Sequence, residues 1–327
     1  MKQSPKVSIC LPTLNAQPFL QERIDSIRDQ EFGDYEVIAF DSHSEDGTWE
    51  ALNVVASEDS RYRLYQGPRG LYASWNRALR LAEGEYVYIA TADDTMDPAC
   101  LRKAVEVLDS HKDVALCNFG LDFIDKDSQI IQPGWRGFLA NKYYGSWNER
   151  LHRRSGAMEF YRHFYLGTLY HSVTGLLIRR SLFDHAGYFP EDVGAVGDFY
   201  WALEAVKHTD VIWLPSFLAT WRIHDTQVTE ASTDKRHEVL KRLMDYHRAE
   251  LINIPQGPAA LEEWTRQRMQ YMQSEGGLFS KVCSRMKISP RWFLAQGAGA
   301  LGVRSGLKEA WVRDVRSILS RDDLRQL

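Results

Sequence analysis

The sequence has few cysteines, and none of them has a close neighbour of its own kind. Of the 327 residues four are cysteine, and they are scattered at Cys10, Cys100, Cys117 and Cys283. Zinc sites and thiol redox motifs need cysteines within a few residues of each other, so these classes of site are excluded. Small secreted domains depend on a dense disulfide framework, which four scattered cysteines do not provide. The pattern predicts a protein of the reducing cytoplasm.

Long hydrophobic runs are also missing. The first apolar run, Val7–Leu11, is too short for the core of a signal peptide, and no run approaches the roughly 20 residues that cross a bilayer. The chain has no internal repeat, and its 44% apolar and 26% charged residues are an ordinary globular composition. The sequence therefore predicts a globular protein that is neither exported nor inserted into a membrane.

The charge is unevenly distributed along the chain. The net charge is -4, yet residues 235–327 carry 17 Lys and Arg against 10 Asp and Glu, while the rest carries 23 against 34. Such a basic segment forms either a solvated helix surface or a contact with an anionic partner. Its interleaved aromatic residues leave three hypotheses open: packing on the rest of the chain, dimerisation, or peripheral contact with the inner face of a membrane near Arg285–Leu294. No nucleic-acid partner is expected.

Up to residue 118, short apolar runs alternate with stretches of helical period. The predicted strands are Val7–Leu11, Tyr35–Phe40, Tyr62–Gln66, Tyr86–Ala90 and Val114–Asn118, and the predicted helices are 17–30, 46–57, 71–83 and 98–110. This alternation predicts an α/β fold with a doubly wound, mostly parallel sheet. In such sheets ligands bind beyond the carboxyl ends of the strands.

Beyond residue 118 the pattern is less regular. Residues 119–170 are rich in aromatic residues and indicate loops and short strands over a site. Strands are predicted at Val173–Arg179, Val211–Leu214 and Ala219–Ile223, a helix begins near Ser181, and another runs from about Asp198 to His208. After about residue 232 the pattern is helical. We therefore expect an α/β domain over 1–230, divided at 118, and a helical extension over 231–327.

Carboxylates follow two of the predicted buried strands. Asp93 and Asp94 come directly after Tyr86–Ala90, and Asp41 ends the strand that begins at Tyr35. Oxygen ligands at this edge suit Mg²⁺ or Mn²⁺ holding a diphosphate, although the Asp pair also fits a helix-capping turn. Asp41 can accept hydrogen bonds from a nucleobase or ribose, while Ser44 or Asp46 caps the next helix.

Four loops together resemble family 2 of the inverting glycosyltransferases, whose members have the GT-A fold. The matching stretches are Val7–Asn15, Asp41–Thr48, Gly70–Ala78, and Ala92–Asp94 with Asp97-Pro98. Each stretch is weak alone, but their order and spacing match as well. The resemblance covers about residues 5–230.

The resemblance implies a role for each matching donor-side residue. Pro12, Thr13 and Asn15 would line the base pocket, Asp41 would contact the uridine or its equivalent, Asp93 would approach the ribose, Asp94 would bind the metal, and Arg69 and Asn76 would lie in the donor-site loop. This sequence departs from the family at two places. Ser42 replaces a second Asp that pairs with the base, which leaves the nucleotide open, and Thr91 replaces the outer Asp of the common DxDD pattern.

Two further motifs resemble the acceptor side of the family. Gly194–Trp201 contains Asp198, which the resemblance makes the catalytic base; a helix cap is the alternative for Asp198, and Glu191 and Asp192 are the fallback bases. At a helix start, backbone amides and the helix dipole are expected to favour the ionised carboxylate. Trp221–Thr229 contains His224, which would join the metal site, and Arg222, which would bind phosphate.

The sequence as a whole predicts a metal-dependent inverting glycosyltransferase that uses Mn²⁺ or Mg²⁺. Its donor would be a nucleoside diphosphate sugar, with a UDP-sugar favoured, and its acceptor a glycan or lipid-linked glycan in polysaccharide or glycoconjugate synthesis. The alternatives are a non-catalytic nucleotide-sugar binding module and a sugar-phosphate nucleotidyltransferase. A nicotinamide-dependent oxidoreductase is disfavoured because no GxGxxG follows the first strand.

Overall fold

A computed structural model describes most of the chain. The described residues are 4–132, 139–167, 169–170, 172–224, 242–252, 259, 263, 312–319 and 321–327. The segment Arg285–Leu294, with its predicted membrane contact, and most of the predicted helical extension lie outside these ranges.

Strands and helices alternate along the first half of the chain. The strands are β1 (Val7–Thr13), β2 (Tyr35–Asp41), β3 (Tyr62–Gln66), β4 (Tyr86–Ile89), β5 (Leu116–Ile124), β6 (Ile130–Gln132), β7 (His152–Arg154), β8 (Leu176–Arg179), β9 (Val211–Arg222) and β10 (Arg325–Gln326). The helices are α1 (Gln17–Arg28), α2 (Thr48–Glu58), α3 (Leu71–Leu81), α4 (Cys100–Ser110), α5 (Leu139–Tyr144), α6 (Gly156–Leu166), α7 (Phe183–Ala186), α8 (Gly197–Ala205) and α9 (Arg248–Leu251). Short 3-10 helices lie at Gly145–Glu149, Val173–Gly175, Arg180–Leu182 and Gly194–Val196.

The described strands form one mixed sheet in the order β10-β7-β9-β5-β8-β4-β1-β2-β3, with β6 paired to β5. β1 to β4 are mutually parallel, and β5 pairs in parallel with β9. β8 lies antiparallel between β4 and β5, so β5 and β9 point in the same direction as β1 to β4. The predicted mostly parallel α/β sheet is confirmed.

Helices cover both faces of the sheet because its central strands are apolar on both sides. Every residue of β1, β2 and β4 is buried, as expected for parallel strands between two helical layers. One core contains Leu20 of α1, Leu52 of α2 and Leu101 of α4. The other contains Trp75 of α3 and Trp201 of α8. None of the helices in the described ranges is long and apolar enough to cross a membrane.

β9 is one long bent strand, whereas the sequence predicts two short ones. Its register against β5 shifts on either side of Gly120, whose partner is Phe217. A Cβ atom at Gly120 would lie 2.6 Å from the Phe217 ring, so only glycine allows this close approach. Pro215, which interrupts the apolar pattern, lies inside the strand. The bend places the second half of β9 along the loop that follows β4, where Asp97 N donates to Leu218 O at 2.8 Å.

Residues 312–319 and 321–327 contribute to the same core, in line with the hypothesis that the C-terminal segment packs on the rest of the chain. Val312, Val315, Leu319 and Leu324 are buried in the core that contains α3 and α8. Arg325–Gln326 is not helical but forms β10, which pairs with β7. The sequence alone does not distinguish this packing from dimerisation or membrane contact, because helical periodicity shows which side of a helix is apolar and not what covers it.

A buried ionic network fastens this last segment. Arg162 of α6 is fully buried and donates to both carboxylate oxygens of Asp323, one of them at 3.0 Å. Arg162 also contacts Glu159 at 3.1 Å, and the backbone N–H of Ser155 donates to Asp323 at 3.1 Å. The buried guanidinium therefore depends in part on a carboxylate 161 residues away.

Asp323→Asn should destabilise the fold because it removes the charge of a carboxylate that pairs with the buried Arg162. We expect the free energy of unfolding in urea to fall by about 2–4 kcal/mol, near the cost of breaking a buried ion pair. Asp314→Asn is the control, since Asp314 is exposed and its pairing with Arg313 is 3.9 Å long; it should change stability by less than about 0.5 kcal/mol. Equal stability of the two variants would contradict the fastening role.

Candidate active site at the carboxyl edge of the sheet

Four of the predicted site residues lie at one edge of the sheet. β1, β2, β4 and β9 point the same way, so the side chains that follow their last residues meet at a common edge. Asp41 is the last residue of β2 at this edge, Asp93 and Asp94 follow β4, and His224 follows β9.

Asp41 is buried and accepts four hydrogen bonds from the chain itself. Its donors are the Thr13 hydroxyl at 3.0 Å, the Ser44 backbone N–H at 2.9 Å and hydroxyl at 2.5 Å, and the Gln66 amide at 3.3 Å. The carboxylate thus joins the ends of β1, β2 and β3. Its predicted contact with a nucleobase stays a prediction.

The loops after β1 and β2 are joined to each other. Asn15, with a φ of 48°, donates its backbone N–H to the Ser44 hydroxyl at 2.8 Å and accepts from Glu45 N at 2.9 Å. The capping role predicted for Ser44 is wrong, because its hydroxyl bridges Asn15 and Asp41. Asp46 accepts from Thr48 N at 3.1 Å, the first amide of α2. Asp46, the other residue predicted for this role, therefore accepts the first amide of α2 from the position before the N-cap residue Gly47.

The remaining donor-side candidates are placed differently from one another. Pro12 is buried within β1. Arg69 is exposed at the sheet edge, where its guanidinium pairs with Glu45 at 2.7 Å. Asn76 is buried in α3 and donates to Phe189 O at 2.8 Å and to Glu191 at 2.9 Å. Asn76 therefore braces the segment before α8 rather than facing the edge.

Asp94 is a buried carboxylate held by three segments. Its Oδ1 accepts the backbone N–H of Arg222 at 2.8 Å, and its Oδ2 accepts the hydroxyls of Thr174, at 3.0 Å, and Thr91. Burial, and then the charge of Asp93, raises the pKa of Asp94 to about 7. The three hydrogen bonds fix its orientation while the pKa keeps it close to protonation at neutral pH.

Thr91 shows why the outer Asp of the common DxDD pattern can be replaced here. A hydroxyl at this position donates to Asp94, whereas a carboxylate would add a further negative charge beside Asp93 and the buried Asp94. Thr174 makes the same kind of contact from the turn before β8 and was missed by sequence reasoning. The sequence around Thr174 does not indicate this contact, because Thr174 and Asp94 are 80 residues apart in the chain.

His224 lies beside Asp93 rather than Asp94. Its Nε2 is 3.1 Å from Asp93 Oδ2, and the two side chains are 12% and 30% exposed. Asp93 is thus the more accessible carboxylate of the pair. Among the described residues no three His, Cys, Asp or Glu side chains converge as a ready metal-binding group. A cation at this edge would need ligands from a bound molecule as well.

Arg222 is buried beneath the site. Its guanidinium donates to Asp93 O at 2.6 Å, Ser128 Oγ at 2.8 Å and Glu22 at 2.6 Å, and it lies over the ring of Phe19. These acceptors belong to the protein, so the arrangement gives the predicted phosphate-binding role no support. Arg222 instead holds the end of β9 against α1 and the loop after β4.

Asp198 lies in the first turn of α8 and is half-buried. Its Oδ1 accepts from Phe199 N at 2.8 Å and from the Tyr72 hydroxyl at 3.1 Å. Burial nevertheless raises the pKa of Asp198 above its usual range, and the two hydrogen bonds only partly oppose the rise. The expectation that the helix start favours the ionised form of Asp198 is therefore wrong. The carboxylate loses hydration on burial, and this loss outweighs the effect of the helix start. A raised pKa makes the carboxylate a stronger proton acceptor.

Comparisons with known proteins identify similar sequences and similar folds. Residues 8–183 match the sequence profile described as glycosyl transferase family 2. The chain is 26% identical over 230 residues to EpsJ of Bacillus subtilis (strain 168), which is named an uncharacterized glycosyltransferase; the match covers 69% of this chain and 63% of EpsJ, less than two thirds of that protein.

Two solved structures have a similar fold. TarS of S. aureus, in complex with UDP-GlcNAc, aligns with a TM-score of 0.62 at 18% identity over 89% of this chain and 79% of that one. The mannosyltransferase PcManGT of Pyrobaculum calidifontis, in complex with GDP-Man and Mn²⁺, aligns with a TM-score of 0.55 at 19% identity over 98% of this chain and 89% of that one. The expected GT-A fold is confirmed.

Asp94→Asn should stabilise the protein in a pH-dependent way. Between about pH 4 and 7 the folded chain retains a proton on Asp94 that the unfolded chain releases, so wild-type stability falls as pH rises through this window. The neutral amide avoids this loss. We expect the variant to exceed wild type by about 1–3 kcal/mol at pH 8 and by less at pH 5, measured by denaturant unfolding. Asp127→Asn, at an exposed carboxylate, is the control; a pH-independent difference for Asp94→Asn would contradict the raised pKa.

Proposed function

The chain belongs to glycosyl transferase family 2, and we propose that it transfers one sugar from a nucleoside diphosphate sugar to an acceptor hydroxyl. One observation carries the proposal: His224 contacts Asp93, the sequence neighbour of the buried Asp94, at the carboxyl edge, while α3 connects the same half of the sheet to the half-buried carboxylate of Asp198. TarS binds UDP-GlcNAc and PcManGT binds GDP-Man with Mn²⁺, which supports the same class of donor here.

The nucleoside is assigned to the loops after β1 and β2. Thr13, Asn15 and Asp41 supply hydroxyl, amide and carboxylate groups at this edge, and the exposed guanidinium of Arg69 lies beside them through its contact with Glu45. Of the four donors to Asp41, Gln66 is the farthest at 3.3 Å, so it is the one that a base N–H would displace. A UDP-sugar is the favoured donor.

We assign a divalent cation to Asp93 and His224 with Asp94 beneath them, a set that by itself is incomplete as a metal site among the described residues. Mg²⁺ and Mn²⁺ are held in many proteins by one or two carboxylates together with substrate phosphates, so a donor diphosphate would complete a set that these side chains begin. Asp93 and His224 are partly exposed and can reach such a ligand, while Asp94 is held in place from below. When bound, the cation offsets the negative charge of the leaving diphosphate.

Asp198 is assigned as the base. It takes the proton of the acceptor hydroxyl as that oxygen bonds to the anomeric carbon, while the bond from this carbon to the diphosphate oxygen breaks on the opposite face. This single displacement inverts the anomeric centre. The raised pKa of Asp198 suits the task, and activity should fall on acidification as the carboxylate becomes protonated.

Asp94→Ala tests the donor and metal assignments. Thermal unfolding of the wild type should shift upward with UDP or GDP and shift further with Mn²⁺, because a ligand stabilises the state that it binds. The variant should retain its fold, lose the Mn²⁺-dependent part of the shift and show no transfer. Full wild-type activity in EDTA, or an unchanged shift in the variant, would refute the metal assignment.

Asp198→Asn separates a transferase from a protein that only binds the donor. The amide keeps the size of the side chain but cannot accept the proton, so turnover should fall roughly 10²–10⁴-fold while donor binding stays near wild type. Asp192→Asn and Glu191→Gln are matched controls on exposed neighbouring carboxylates. If turnover falls less than about tenfold in Asp198→Asn but is lost in one of the controls, the carboxylate changed in that control is the base instead. Donor binding without transfer in the wild type would favour the binding module.

A further inference from the structure

Helix α3 contacts the segment that carries Asp198 at several points. Tyr72, near the start of α3, is 3% exposed, and its hydroxyl donates to Asp198 Oδ1 at 3.1 Å. The two residues are 126 positions apart in sequence. The helix that follows the donor-side loop thus reaches the carboxylate assigned to the acceptor side.

Asn76, one turn further along α3, holds the backbone of the same segment. Its Nδ2 donates to Phe189 O at 2.8 Å, and its Oδ1 accepts from Phe189 N at 3.0 Å. The ring of Phe189 stacks on Tyr72 with an interplanar angle of 16° and meets Trp75 edge-on at 5.3 Å between centroids. These contacts fix the distance between α3 and the start of α8.

Gly197 allows Tyr72 to come this close. A Cβ atom at position 197 would lie 2.6 Å from the Tyr72 ring and 2.7 Å from Pro190 O. Any other residue at this position would push the ring or the backbone away. The glycine directly before Asp198 is therefore part of the same contact.

We propose that Tyr72 is a positioning residue for Asp198: its hydroxyl holds one carboxylate oxygen and leaves the other to take the acceptor proton. This inference rests on the proposed function and adds a residue to it. Phe199 N donates to the same oxygen, so both hydrogen bonds turn the carboxylate the same way. Both also favour the ionised form against the effect of burial on the pKa of Asp198.

Tyr72→Phe removes the hydroxyl and keeps the buried ring. We expect kcat to fall roughly tenfold, the scale of one hydrogen bond to a charged group, with the KM for the donor within about twofold of wild type. The acidic limb of the kcat/KM profile should move upward by about one pH unit, because the carboxylate loses a donor that favours its ionised form.

Tyr35→Phe is the matched control. Tyr35 is also buried, and its hydroxyl donates to Ile27 O at 3.0 Å, at the start of β2 and so at the opposite edge of the sheet. This variant should leave kcat and the acidic limb unchanged. If the acidic limb of Tyr72→Phe coincides with that of wild type, Tyr72 does not position the base.

A double-mutant cycle tests the contact without any turnover. Urea midpoints are measured for wild type, Tyr72→Phe, Asp198→Ala and the double variant. Tyr72→Phe should lower the midpoint of the wild type and lower that of Asp198→Ala by less. Equal lowering in the two backgrounds would overturn the proposal. Coupling in the cycle together with no transfer from any nucleotide sugar would instead refute the proposed function and leave the contact standing.

Discussion

The arrangement of the site depends on keeping one carboxylate, Asp94, buried in a defined orientation. Its partners come from the loop after β4, the turn before β8 and the end of β9, so three separate parts of the sheet meet on two oxygen atoms. Burying a charge is unfavourable unless hydrogen bonds replace the lost water, and here each donor is supplied by a segment that the sheet already fixes. The raised pKa of Asp94 shows that these hydrogen bonds do not fully replace the lost hydration of the carboxylate. Strongly shifted pKa values of this kind are common at functional sites.

The bend in β9 also fixes the position of Asp93, the neighbour of Asp94. By following the loop after β4, the second half of the strand brings His224 to Asp93 and buries Arg222 beneath both. Glu22 and Phe19 of α1 cover the guanidinium, so the first helix also supports the acidic pair. Arg222, for which the sequence predicts phosphate binding, therefore supports Asp93 and His224 from below.

The sequence predicted the order of strands and helices up to residue 118 and the edge where Asp41, Asp93 and Asp94 lie, because buried parallel strands and polar strand ends are local patterns. It did not predict α6, since aromatic residues obscure its helical period, or the continuity of β9, since a proline such as Pro215 usually interrupts a strand.

The long-range contacts of the site were not predictable from the sequence. The contacts of Thr174, Tyr72 and Asn76 join residues at least 80 positions apart, so no local sequence pattern indicates them. The sequence does not predict the raised pKa of Asp198, because the burial of this side chain depends on packing, which a helix start does not reveal.

The pairing of β10 with β7 has a consequence for the order of folding. During synthesis, the strands and helices up to α8 leave the ribosome well before residues 312–327, yet Arg162 of α6 requires Asp323 from that last segment. Until then the growing chain exposes one edge of β7 and part of an apolar core, which are surfaces that other unfinished chains can bind. Contacts between such distant residues also form slowly. The late pairing of β10 with β7 therefore favours aggregation during expression. Chaperone supply and growth temperature should change the yield of folded protein, whereas the stability of the folded protein does not depend on them.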